Sequence, residues 1–217
     1  VSTSYTQLYN YIKSASENDD SEFADAIPTF IDQTRMRLSR DIDTYGFVVY
    51  TTATVSTYLV SVPSDALVLK AVNYVSAGRY NQLIMRTDEF LREYWPQRTS
   101  TGEPKYFARW GFNQILIAPA PSSQASVEIS YVQIPTSIGS VGTSTNWLTE
   151  YAPEALFYGC MHEACMFMKN YQAAAMWEGK YQDAVAKLRN EARRTRQDDN
   201  LKNDSPAGGD NTLMGGV

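Results

Sequence analysis

With 217 residues, 43% of them hydrophobic and 20% charged, the chain is long enough for one sizeable core or for a core plus an insertion, and is globular rather than disordered. Lys and Arg number 19 against 24 Asp and Glu, a formal charge of −5, which argues against a general nucleic-acid binder because phosphate binding needs a basic footprint. No apolar run approaches the roughly 20 residues that span a bilayer, so no membrane partner is expected. The opening VSTSYTQLYNYIKSASENDD lacks a basic segment followed by an apolar stretch, so no secretory signal is expected, and a start at Val1 suggests a removed initiator Met.

Tyr5, Leu8, Tyr9 and Ile12 recur at helical spacing and predict an amphipathic helix over residues 4–16, ended by Glu17-Asn18-Asp19-Asp20. A second helix is expected from Pro28, a first-turn proline, to about residue 42, with Phe30, Ile31, Thr34, Leu38 and Ile42 inward. Its outer face alternates Arg35, Arg37 and Arg40 with Asp32, Asp41 and Asp43, which suits a solvated face or a subunit contact.

From residue 47 to 135 the composition turns to Val, Ile, Tyr, Thr and Ser. VVYTTATV, TYLVSVP, ALVLKAVNYVS, YNQLIMR, KYFARW, QILIAPAP and ASVEISYVQIP read as short strands. TDEFLREY between them reads as a short helix with Thr87 as its N-cap. PTSIGSVGTST is a connector of small polar residues.

Two further helices are expected over residues 153–196, broken near Lys169-Asn170. Leu156, Cys160, Met161, Ala164, Cys165 and Met168 make one apolar stripe, and Ala174, Trp177, Tyr181, Ala184, Val185 and Leu188 the other. Glu178, Lys180, Asp183, Lys187 and Arg189 are placed outside. Trp147 is expected to pack beneath the pair. The expected architecture is α+β: an antiparallel bundle of about four helices (1–46 and 146–196) with an inserted antiparallel β domain (47–135) carrying one short helix, a linker (136–145) and a flexible carboxyl-terminal tail (197–217).

No catalytic pattern emerges. His162-Glu163 resembles the start of a zinc-protease helix, but Met166 stands where the second His is needed, and His162 is the only histidine. The same lone His leaves no triad. Asp65, Asp88, Glu89, Glu103 and Glu128 are scattered with no spacing that singles out a pair, although carboxylate chemistry needs only two acids brought together by the fold. Cys160 and Cys165 lie about 140° apart on one helix and read as buried thiols. No catalytic residue, cofactor or metal is therefore assigned.

Charge is distributed unevenly. Over residues 110–149 the one charged residue is Glu128, and over 44–84 only Asp65, Lys70 and Arg79 are charged. Such stretches suit either a polar uncharged β surface or surfaces buried against other chains. Arg193, Arg194 and Arg196 gather at the end of the last helix, where they complement its dipole or meet an acidic partner. Leu201, Leu213 and Met214 stand among small residues in the tail, a composition suited to docking in a partner's groove.

The order of these pieces resembles the head-to-tail adaptor (connector) proteins of tailed bacteriophages, of the short-tailed type. The resemblance rests on IPTFIDQTRMRLSRDI, the VSVPSDALVLKAV step, a short acidic helix ending in Trp95-Pro96, TGEPKYFARWGFNQILIAPAPSSQASVEISYVQIP, the Trp147-Leu148 step into ALFYGCMHEACMFM, and MWEGKYQDAVAKL, together covering residues 5–194. It implies a structural virion protein made in the host cytoplasm and placed at the head–tail junction. It also implies a homo-oligomeric ring, usually of about twelve copies, between the portal protein and tail nozzle or tail fibre proteins, with DNA only passing through its channel. The expected partner-facing residues are Arg35, Arg37, Arg193, Arg194, Arg196, Leu201, Leu213 and Met214. The competing reading is a carbohydrate-handling or receptor-binding module of a phage tail, suggested by 15 Tyr and 4 Trp.

Overall fold

In the computed structural model, which describes residues 3–139 and 143–201 with side chains to residue 194, the chain opens on a capped helix. The Ser4 side chain accepts from Gln7 N, and the Gln7 side chain accepts from Ser4 N, closing the first turn of α1 (Tyr5–Ser16). Tyr5, Leu8 and Ile12 form its buried stripe.

α2 (Ser21–Asp41) begins at Ser21 rather than at Pro28, which lies inside it. A proline there cannot donate to the carbonyl four residues earlier, that of Ala24. The Tyr9 hydroxyl of α1 donates to that carbonyl at 3.4 Å. The helix runs through its proline because a neighbour supplies the missing donor.

After a 3-10 turn at Tyr45–Phe47 come β1 (Val48–Val55), β2 (Leu59–Ser61), β3 (Ala66–Ser76), β4 (Arg79–Gln82) and β5 (Ile84–Met85). α3 (Asp88–Tyr94), β6 (Tyr106–Arg109), β7 (Gln114–Ala118) and β8 (Ala125–Gln133) follow. One sheet has the order β1-β8-β3-β4 and is antiparallel throughout. The other has the order β2-β7-β6-β5, with β5 and β6 parallel. The segment YNQLIMR, expected as one strand, divides between the sheets at buried Leu83. Leu83 N donates to Val72 O at 2.8 Å and Ile84 N to Lys105 O at 2.9 Å, so the chain changes sheets at one residue.

Side-chain alternation along β7 ties the layers together. Ile115 and Ile117 join Val72, Val127 and Ile129 of the first sheet in a common core. Leu116 and Ala118 point the other way, against Leu91 of α3 and Ala108 of β6. A strand buried on both faces has to be apolar throughout its core, which accounts for the unbroken run Ile115-Leu116-Ile117.

The last part holds α4 (Trp147–Tyr151), α5 (Pro153–Phe167) and α6 (Tyr171–Leu201). Lys169 takes a left-handed φ of 59°, and the Asn170 side chain accepts from Ala173 N at 3.2 Å, which fixes the break between α5 and α6. α1, α2, α4 and α6 all pack on α5. Gly159 permits a close approach here, because a Cβ would run into the Thr34 methyl of α2 and lie 3.2 Å from the Tyr181 ring of α6.

The expected antiparallel bundle of about four helices with an inserted antiparallel β domain is not what forms. Among the described residues six α-helices and two four-stranded sheets make an α+β fold. Four of the helices, α1, α2, α4 and α6, gather on α5, while α3 packs on β6. Nor is the β segment set apart as an insert: Phe47, Val132 and Ile138 are buried in the same core as the helices. One strand pairing, β5 with β6, is parallel. The connector after β8 is also held in part, since Ile138 is buried and Thr136 O accepts from Asn146 Nδ2 at 2.7 Å.

Cys160 and Cys165 are free and buried. Burial pushes the Cys160 thiol up to about 12 and raises that of Cys165. Both thiols are expected to resist Ellman's reagent in the native protein at pH 8 and to react fully in denaturant; rapid native labelling would contradict their burial. The protonated Cys160 thiol contributes stability that is present below its usual value of 9.0 and is lost as pH rises towards about 12.

Candidate interaction surfaces

Arg37 of α2 is half-buried and turned towards α6. It donates to Glu178 Oε1 of α6 at 2.5 Å and lies 4.2 Å over the Tyr181 ring. The Tyr181 hydroxyl donates to Asp41 Oδ2 at 2.7 Å, and Arg189 Nε donates to the Asp41 carbonyl at 2.7 Å. Glu178, placed on an outer face by its position in the sequence, is thus drawn into the seam between α2 and α6. Its carboxyl is held below the usual range chiefly by the hydrogen bond from Arg37, against the opposing effect of burial. Burial, then the bond to Asp41, raises the Tyr181 phenol. Burial works against the Arg37 charge, yet Glu178 and Asp41 hold it above its usual value.

Arg35 is likewise engaged within the chain. Its Nε donates to Asp32 at 3.0 Å, and its guanidinium donates to the Pro135 carbonyl beyond the end of β8 at 2.6 Å. Ser137 donates to the same Asp32 carboxylate at 2.7 Å. Arg35 and Arg37, read from the sequence as partner-facing, therefore hold helix to sheet and helix to helix. Arg193 and Arg194 are exposed on α6. The side chains of Arg196 and Leu201 lie outside the described residues, as do Leu213 and Met214 altogether.

Four of the five scattered acids have partners of their own. Asp65 accepts from Gln133 at 2.6 Å, Glu103 from Asn81 at 2.9 Å and Glu128 from Asn73 at 3.0 Å. Asp88 pairs with Arg92, one turn along α3, and Glu89 is exposed. Burial, then Asp65, raises the Tyr131 phenol. His162 Nδ1 lies 3.1 Å from the Ala174 carbonyl and 3.7 Å from Glu178. Among the described residues no group of three or more His, Cys, Asp or Glu gathers, and no described helix is long and apolar enough to cross a membrane.

What the fold leaves open is surface. The outer face of the first sheet carries rows of mostly neutral groups around one carboxylate, Glu128: Thr52, Glu128, Asn73 and Gln82 in one register, and Thr54, Ser126, Val75 and Tyr80 in the next. Tyr50 and Tyr80 stand out from it, and Lys70 pairs with Asp43 at its rim. A second surface is an apolar groove between α1 and α5, lined by Tyr11, Pro153, Glu154, Phe157 and Tyr158. A third is the β6–β7 hairpin tip, where Phe112 is 82% exposed. The sequence marks the hairpin turn at Gly111, but neither the groove nor the exposure of Phe112 follows from it; the signal present was an aromatic residue set between Gly111 and Asn113 in that turn.

No curated protein matches the chain. The family model for SU10 adaptor proteins matches residues 3–204. The match runs from before α1 to beyond the last described residue of α6, so it takes in both sheets and all six helices. The chain therefore belongs to the SU10 adaptor protein family of bacteriophage structural proteins.

Proposed function

We propose that this adaptor forms a closed ring at the head–tail junction of a short-tailed phage, between the portal protein and tail nozzle or fibre proteins, with DNA passing through the centre. The observation that carries this reading is the outer face of the first sheet. A surface built on Thr52, Asn73, Gln82, Ser126 and Tyr80, whose one carboxylate, Glu128, is already hydrogen-bonded, costs little to desolvate against another chain. The net charge of −5 fits a channel that lets DNA slide rather than one that grips it. Subunits related by rotation about the channel meet through unlike surfaces, so the contacts are heterologous and must close. Arg193, Arg194, Arg196 and the residues after them, Leu201, Leu213 and Met214 included, are the proposed portal-facing end.

Mass photometry of the purified chain, alone and with portal protein, tests the reading. A single large closed species, near twelve subunits by the family analogy, is the expected result. A monomer or trimer that binds glycans would replace it with the carbohydrate-handling alternative.

A further inference from the structure

The hairpin tip that bears Phe112 is built to be stiff. Trp110 N donates to Gln114 O at 2.9 Å, and Val62 N donates to Asn113 O at 2.8 Å. Gly111 takes a φ of 71°, a left-handed conformation that glycine adopts without strain. Beneath the tip, the Trp110 ring has the Arg98 guanidinium 4.4 Å from its centroid and that of Arg92 at 5.6 Å. Phe112 is the most exposed large apolar side chain among the described residues. Beside it Arg109 is exposed and makes no ion pair among those residues.

The α1–α5 groove is the complement. Its volume is about 340 Å³, its walls are Tyr11, Phe157, Tyr158 and Pro153, and its one carboxylate is Glu154. Glu154 is exposed and makes no ion pair among the described residues. Tyr11 and Phe157 meet edge to face at 6.1 Å, so the groove is already shaped as an aromatic site. An unpaired cation beside an apolar knob thus answers an unpaired anion beside an apolar groove.

We infer that Phe112 and Arg109 of one copy dock in the Tyr11–Phe157 groove and against Glu154 of the next copy, as a repeated contact around the ring. The inference rests on the ring reading and names the contact that closes it. A stiff knob loses little conformational freedom on docking, which favours association.

Assembly of the full chain is measured by mass photometry across a concentration series, with thermal unfolding as a check on folding. Phe112→Ala is expected to raise the concentration for half-assembly about tenfold or more, since it removes one buried aromatic group per contact. Arg109→Glu and Glu154→Arg each weaken assembly, more at low salt than at high salt, and the double variant recovers it. Wild-type rings with undiminished assembly of Phe112→Ala, or a double reversal no better than either single one, would overturn this contact and leave the ring intact. A wild-type chain that stays monomeric with and without portal would overturn the ring and this contact together.

Discussion

Gly159→Val is expected to lower the unfolding midpoint by about 2–12 °C. The added side chain enters the contact of α5 with Thr34 and Tyr181, where even a Cβ has no room. Overpacking of this kind costs about 1–3 kcal/mol, and a chain of this length loses about 2–4 °C per kcal/mol. Alanine is the more informative variant. It gains about 1 kcal/mol of helix propensity over glycine, but Thr34 is fully buried and has little space into which to turn its methyl. The steric cost therefore exceeds the gain, and Gly159→Ala falls on the destabilising side by a smaller amount. Calorimetry decides it; an unchanged midpoint for both variants would mean that α2 and α5 separate without penalty.

Arg37→Ala is expected to cost about 2–3 kcal/mol, near the lower end for a partly buried ion pair that loses one partner. The discount follows from exposure, since both side chains retain 30% of their surface. The variant leaves Glu178 with Gln182 as its remaining hydrogen-bond donor and strips the cation from the Tyr181 ring. The dependence on pH has a definite sign. Glu178 is depressed below its usual 4.5, so the stability it contributes is present above that value and disappears as pH falls through the lower folded value. The gap between wild type and Arg37→Ala should thus be wide at pH 7 and narrow at pH 3, as read from urea midpoints. An equal gap at both would remove Glu178 from the account. A charge reversal at Arg37 is for the same reason a poor probe of any partner surface, because it breaks the seam first.

The sequence made the regular elements legible where local chemistry decided them. Thr87 caps α3, accepting from Phe90 N at 3.3 Å, and ALVLKAVNYVS forms the whole of β3. The break at Lys169-Asn170 fell where a turn former follows an apolar stripe. What failed did so for want of a partner in view. Pro28 reads as a helix start until Tyr9 is known to reach Ala24 O. Arg35 and Arg37 read as outward charges because nothing in α2 announces Pro135 or Glu178, one hundred and more residues away in the chain. The change of sheet at Leu83 has no local signal, since both halves of YNQLIMR have strand composition. The candidate surfaces divide similarly. Neutrality of the β region was visible as a run without charge, whereas exposure of Phe112 depends on the turn that lifts it away from the core.

The ties at the end of β8 bear on how the molecule carries a load. Arg35 grips the Pro135 carbonyl, and Ser137 grips Asp32, so α2 is pinned to the chain directly after the strand. β8 is itself flanked on both sides by antiparallel neighbours, β1 and β3. A pull along this strand loads two ladders of hydrogen bonds in shear at once, instead of unzipping one ladder bond by bond. The junction therefore acts as a stiff splice rather than a hinge: tension applied to the sheets is delivered to α2, and through its contact at Gly159 to α5, with little slack between them.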